Sequence, residues 1–390
     1  MSLMRISNNV YNVGVLAPLV RKSGLDKNCK YGTAYNSYFI DDKKTALIDM
    51  VYGEYTGDFL YSLGLVADIG AVDYLILNMV HPQQAGSIEK FLQVSPGTVI
   101  VCCEGAKKIL DNILNMPYNC VVVNNGDRLK LGKSILEFIC CENIPSPDSM
   151  CTYFENDCVL FSGNMFSTDF CDPKGIDEEL AYEKEYFEEL ESCFNYYLSS
   201  YKSGVKNIIN TLQSKQVYYI APAKGLVVMD RVKGLFESYC KWCTANKEKT
   251  AVVLYASASG CTRKMAETIY SEFKINGINT QLINMQTATP QQCAVMLSNA
   301  SYIAAGSCTI NKGLPSCVWN TLSEINGIAN DNKLFFTFGS YGWSGEGTDL
   351  LCARLLQSGM KRICEPIKAC MNPTEEITER LKNAVVNLLE

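Results

Sequence analysis

From residue 251 onward the chain alternates short apolar runs with amphipathic stretches. No other feature of the sequence constrains the fold as much. The spacing predicts strands over 251–256, 280–284, 302–305, 333–338 and 362–367. Helical periodicity lies between them, over 263–275, 290–298, 315–325 and 347–357, with a last helix after Pro373. Parallel strands need a crossover and a helix supplies it, so this alternation predicts an open, doubly wound parallel sheet. Such sheets bind ligands outside the carboxyl ends of their strands.

Three loops fall at such ends. The first lies in Val252-Val-Leu-Tyr-Ala-Ser-Ala-Ser-Gly-Cys-Thr-Arg-Lys-Met-Ala266. Ser257, Ala258, Ser259, Gly260, Cys261 and Thr262 there join a strand to a helix start, where backbone amides and hydroxyls converge at the positive end of the helix dipole. The lysine that a nucleoside triphosphate loop carries before its Ser/Thr is absent. Neutral donors around a monoester phosphate suit flavin mononucleotide (FMN), although an ordinary strand-to-helix turn has the same outline. The second loop, Gly306-Ser-Cys-Thr-Ile-Asn-Lys-Gly-Leu-Pro315, offers Ser307, Thr309, Ile310, Asn311 and Gly313. The third, Phe338-Gly-Ser-Tyr-Gly-Trp-Ser-Gly-Glu346, offers Ser340, Tyr341, Gly342, Trp343 and Gly345. Its two aromatic residues suit stacking on a planar ring, or plain packing.

The N-terminal part is organised differently. Short strands are expected over 36–40, 45–49, 74–77, 98–102, 120–123, 134–140, 158–162 and 217–221, with a long helix over roughly 177–212. Runs of strands interrupted by helices suggest a layered α+β or αββα domain. The polar stretch Thr244-Ala-Asn-Lys-Glu-Lys-Thr250 reads as a linker, giving domains 1–246 and 247–390. A length of 390 residues agrees with two domains. A formal net charge of −6 argues against nucleic-acid binding. No apolar run approaches the length of about 18 residues that spans a bilayer, and no secretory signal is seen, so no membrane partner and a cytoplasmic location are expected.

The chain has nineteen cysteines and one histidine, His81. Without a secretory signal, so many thiols point to a reducing compartment rather than a disulfide framework. One histidine excludes any single-chain metal site that needs two imidazoles. Adjacent thiols on a strand, as in Cys102-Cys103 and Cys140-Cys141, face opposite sides. Cys240-Lys-Trp-Cys243 is a lone CxxC with half the ligands of a zinc or rubredoxin-type centre, leaving a redox dithiol or two separate helix-borne thiols.

The three loops in this order resemble the flavodoxin family, and Gly339-Ser-Tyr-Gly-Trp-Ser-Gly345 resembles one branch of it, the flavodiiron proteins or A-type flavoproteins. The resemblance extends over essentially the whole chain, including Tyr31-Gly-Thr-Ala-Tyr-Asn-Ser-Tyr-Phe-Ile40 and Leu47-Ile-Asp49. It implies a metallo-β-lactamase-like αββα domain followed by a flavodoxin-like FMN-binding domain. It also implies a homodimer or dimer of dimers, and electrons from a reduced donor protein or an NAD(P)H-dependent reductase.

The same resemblance implies a diiron centre, but each aligned ligand position departs from the family pattern. In Asn78-Met-Val-His-Pro-Gln-Gln-Ala-Gly-Ser87 the ligand places hold Met79, His81, Gln83 and Gln84. Further places fall on Pro145, Asn164 and Lys224. Neutral amides replace acids that would repel one another without metal, and Lys224 supplies a fixed positive charge. No iron and no other metal ligands are therefore expected, and the implied function is electron transfer through FMN with the oxygen or nitric oxide reductase site lost. A non-catalytic flavin-containing partner subunit, a reductase using an unrecognised metal site, and a metallohydrolase stand as alternatives.

Overall fold

The computed structural model describes residues 3–23, 27–141, 144, 146–244, 249–325 and 327–390. It contains two compact units, Met1–Thr244 and Ala245–Glu390. No described helix is long and apolar enough to cross a membrane.

The first unit is built on two sheets. One runs in the order Met4–Arg5, Val10–Asn12, Tyr38–Ile40, Ala46–Ile48, Tyr74–Ile76, Val99–Cys103 and Cys120–Val123. Its first pairings are antiparallel, and from Ala46–Ile48 onward they are parallel. The other sheet runs Arg128–Lys130, Ile135–Cys140, Met150–Phe154, Val159–Gly163 and Tyr219–Pro222. Buried side chains of both sheets share one core, in which Ile48, Leu75 and Val101 of the first meet Leu136, Phe154 and Phe161 of the second. The rings of Tyr38 and Phe161 lie 5.2 Å apart across it. Phe59, Phe91 and Leu110, from helices Thr56–Gly64, Ile88–Val94 and Glu104–Leu114, join this core. Three further helices, Glu183–Tyr197, Lys202–Gln213 and Val232–Cys243, cover the second sheet through a separate apolar cluster. The layers are therefore helix, sheet, sheet, helix.

Short strands at Met4–Arg5, Val10–Asn12, Arg128–Lys130 and Met150–Phe154 were not legible in the sequence, the first being too short to show a period of two. The long helix expected over 177–212 is instead two helices, because the chain leaves helical geometry at Leu198 (φ −120°, ψ −17°) before a short turn of 3-10 helix, Ser199–Tyr201. Tyr197 and Leu198 at this break both line an internal cavity. Asp177 stays outside the helix, its buried carboxylate accepting the N–H groups of Met229, Asp230 and Arg231.

The second unit is a parallel sheet in the order Asn279–Asn284, Thr250–Ala256, Tyr302–Ser307, Leu334–Tyr341, then Ile367–Cys370 with the short strand Lys361–Arg362 on the same edge. Counted within the unit this is 2-1-3-4-5, one of the two common doubly wound orders. Buried clusters lie on both faces, one under Val318, Leu351 and Leu355, the other under Ile269, Phe273 and Leu381. The last strand, expected over 362–367, is divided in two. Pro366 lies in the gap and has no N–H for the ladder.

Candidate functional site

Each unit carries one cluster of interest. In the second, the helix Cys261–Ile275 starts just after a turn that follows Thr250–Ala256. The Gly260 N–H donates to Ser257 Oγ at 3.1 Å, and the Ser257 N–H donates to Gln286 Oε1 at 3.1 Å. Gly260 has φ +85°, a left-handed backbone that costs glycine no Cβ clash. Lys264 reaches the first acceptor of the helix, Gly260 O, at 3.0 Å. The amides of Cys261, Thr262 and Arg263 precede it at the positive end of the dipole. Ala258 and Ser259 are exposed.

The other two loops close on this one. The hydroxyls of Thr262 and Ser340 are 2.7 Å apart, the Thr309 N–H donates to Ser340 O at 3.1 Å, and the Gly347 N–H donates to Thr309 Oγ1 at 3.2 Å. Ile310 and Gly313 exchange backbone hydrogen bonds at 3.0 and 2.8 Å, placing Asn311 in a tight tip at φ +50°. Ser307 is buried at the end of its strand and donates to Cys308 O. A Cβ on Gly339 would lie 2.2 Å from Ser307 O and from Thr348 Oγ1, so only glycine lets these strands meet so closely. Beyond Ser340 and Tyr341 the loop carries Gly342, Trp343 and Gly345, and Trp343 is 87% exposed. Buried Thr348 Oγ1 has no hydrogen-bond partner among the described residues. All sixteen residues proposed from the three loops therefore lie at or just beyond the carboxyl ends of three adjacent strands. Gln286 and Thr348 were missed, since neither lies in the three loops.

The first unit encloses a cavity of about 230 Å³. Met79, His81, Asn164 and Lys224 line it, together with Tyr197 and Met165 among others. Lys224 is held by its backbone. Its N–H donates to Ser167 Oγ, its carbonyl accepts from the Thr168 N–H, and it bridges to Tyr35. Gly225 follows at φ +85°, where a Cβ would sit 2.1 Å from Thr168 Oγ1.

Behind the cavity wall runs a buried chain of charges. Lys224 Nζ donates to Asp169 Oδ1 and Ser23 Oγ, each at 3.0 Å. The other oxygen of Asp169 lies 3.1 Å from Lys27 Nζ, which also contacts Glu189 Oε1 at very short range. The side chains of Lys224 and Lys27 are each 4% exposed and that of Asp169 is 0%. Burial alone would lower the pKa of Lys224, but the attraction of Asp169, then Tyr197 and Cys193, leaves it raised. Burial opposes ionisation of Asp169, yet Lys224 and Lys27 hold its pKa below the usual carboxylate value. Burial lowers the pKa of His81, with Asp148 opposing and Lys224 adding. Asp169, Glu189 and Cys193 are the only described group of three possible metal ligands within 4.8 Å of one another, and Lys27 already pairs with both acids.

Among the described residues the thiols add no second centre of this kind. Cys141 lines the cavity with Cys151 Sγ 3.7 Å away, and Cys102 Sγ lies 3.8 Å from Cys120 Sγ. Cys240 accepts from Gln213 Nε2 while Cys243 packs into the helix-covered apolar cluster.

A family model described as ODP family beta lactamase matches residues 33–225, and a Flavodoxin model matches 253–383. The Flavo-diiron protein FprA2 of Clostridium acetobutylicum is 28% identical over 385 residues, covering 96% of each chain. Over nearly its whole length the chain is similar to flavodiiron proteins. An anaerobic nitric oxide reductase flavorubredoxin of Vibrio vulnificus is 28% identical over 368 residues, covering 92% of this chain and 74% of the relative. Rubredoxin oxygen:oxidoreductase from the anaerobe Desulfovibrio gigas matches in structure with a TM-score of 0.79 at 25% identity, covering 99% and 98% of the two chains.

The chain has a β-lactamase-like unit followed by a flavodoxin unit, and the flavodoxin unit implies FMN. Four places where the resemblance puts iron ligands, now Met79, His81, Asn164 and Lys224, line the one cavity. The side chains of Gln83 and Gln84, and Pro145 as a whole, lie outside the described residues.

Proposed function

We propose that this chain is an FMN-binding electron-transfer flavoprotein in which the diiron oxygen or nitric oxide reductase site has been lost. The carrying observation is the donor set of the cavity. It combines one imidazole, the only one in the chain, with an amide, three thioethers, the Cys141 thiol, neutral hydroxyls and a buried lysine, and no carboxylate is among the described lining residues. Two ferrous or ferric ions need several carboxylates and imidazoles, and an ammonium at one of the ligand places repels them. The carboxylate nearest to Lys224, Asp169, is already shared by two lysines. These residues do not fit an iron pair.

The flavodoxin unit fits FMN. The phosphate would be held by the amides at the start of Cys261–Ile275 with the hydroxyls of Ser257, Ser259 and Thr262, and Thr348 Oγ1 is a buried oxygen still without a partner. When bound, FMN supplies one- and two-electron transfer. The chain's own part is to fix the phosphate, to hold the second and third loops through the Thr262–Ser340 and Thr309–Ser340 contacts, and to offer Tyr341 or Trp343 for stacking. Electrons would arrive from a reduced donor protein or an NAD(P)H-dependent reductase, with the chain acting as a homodimer.

Stopped-flow mixing of the FMN-reduced protein with oxygen or nitric oxide tests the reading. Slow oxidation typical of a flavin without metal is expected. Rapid turnover with iron in the preparation would overturn it.

A further inference from the structure

The buried charge chain reads Lys224, Asp169, Lys27, Glu189, alternating in sign from the cavity inward. Its formal charges cancel, and its cationic end belongs to Lys224, a residue that lines the cavity. An ammonium has three N–H donors, and Lys224 uses two of them on Asp169 and Ser23. The third has no hydrogen-bond acceptor among the described residues, and the ring centroid of Tyr197 lies 5.4 Å from Nζ. The nearby carboxylate of Asp148 is engaged by the Val80 N–H at 2.8 Å and by the Ser146 hydroxyl.

Around this one charge the cavity wall is largely apolar, formed by Met79, Ile144, Met150, Met165 and Leu198. His81, Asn164 and the hydroxyls of Ser146, Ser149 and Ser162 add neutral polar groups to the lining, and a largely apolar space with a few placed polar groups is the usual form of a small-molecule site. A volume of about 230 Å³ exceeds the roughly 150 Å³ of an engineered apolar cavity that accepts benzene. We propose that the cavity binds a small monocarboxylate with an apolar body, its carboxylate on the Lys224 ammonium and its body against the methionines. The charged head would extend the alternation of sign by one member, and a neutral head would leave the third N–H with a weaker bond. The proposal stands on the cavity alone and does not depend on FMN.

The test is saturation-transfer NMR on the full-length flavoprotein with benzoate, benzamide and formate as probes. Benzoate is expected to bind saturably at one site per chain. Benzamide, which lacks the charge, and formate, which lacks the body, should each bind at least about tenfold more weakly. Lys224→Met should abolish benzoate binding. Should that variant fail to fold, Ile144→Phe fills the same space without touching the charge chain and should abolish binding equally. Equal binding of benzoate and benzamide would overturn the proposal, as would retention of benzoate by either folded variant. Absence of saturable benzoate binding up to about 10 mM would do the same.

Discussion

The two clusters solve opposite electrostatic problems. The loops of the flavodoxin unit gather neutral donors, amides and hydroxyls, at a helix start where Ala258 and Ser259 are exposed, and they await an anion from outside. The cavity of the β-lactamase-like unit has its ions built in, two lysines and two acids almost wholly removed from water. Preformed neutral donors can be altered one at a time at modest cost. A buried ionic chain cannot, because removing one member leaves the next uncompensated. The flavodoxin site should therefore respond to mutation mainly in ligand affinity, and the cavity mainly in stability.

The largest effect is expected for Asp169→Asn, which strands two buried ammonium groups. Urea unfolding should show a loss of about 3–5 kcal/mol. Lys224→Met combined with Asp169→Asn should cost less than the two single changes summed, with a coupling of about 0.5–3 kcal/mol. Additive losses would show that these residues do not act as a chain.

The pH dependence carries a defined sign. The folded pKa of Asp169 is depressed, so its contribution is complete above the unfolded value of about 3.9 and is lost as pH falls through the lower folded value. Acid unfolding of Asp169→Asn should be correspondingly less steep below about pH 4. Asp49 behaves in the opposite sense. Burial pushes its pKa up to about 7 although Asn78 donates to it twice. Between the unfolded value of about 3.9 and the folded value the native state holds the extra proton, so the Asp49 contribution falls as pH rises through that window. Carboxyl NMR should find one Asp titrating far above the rest.

In the flavodoxin unit smaller changes are expected. Ser340→Ala removes the hydroxyl partner of Thr262 and should cost about 1 kcal/mol while weakening FMN binding. Trp343→Ala should leave unfolding within about 0.5 kcal/mol, because the ring is 87% exposed. If the ring stacks on the flavin, FMN affinity should fall about 2- to 10-fold, the worth of one aromatic contact. A stability loss without an affinity loss would assign Trp343 to packing.

The same contrast explains what the sequence could reveal. The flavodoxin loops were legible because their residues are neighbours in sequence, set by local strand, turn and helix rules. The cavity was legible only in part. Met79, His81, Asn164 and Lys224 came from flanking segments that resemble the family, and the structure brings them to one space. Lys27, Asp169 and Glu189 left no trace in spacing, since Lys27 meets Glu189 across 162 positions and Lys224 meets Asp169 across 55. The break at Leu198 was hidden for a related reason. Helical periodicity continues across it, and only the packing of Tyr197 and Leu198 toward the cavity marks the change.

We propose that a buried lysine stands where the family resemblance places an iron ligand, and that the protein keeps FMN without the iron pair. Joint flavin and metal analysis of the protein purified without added metal tests it most directly. Near-stoichiometric FMN with only trace iron is the expected result. Iron approaching two atoms per chain would contradict it.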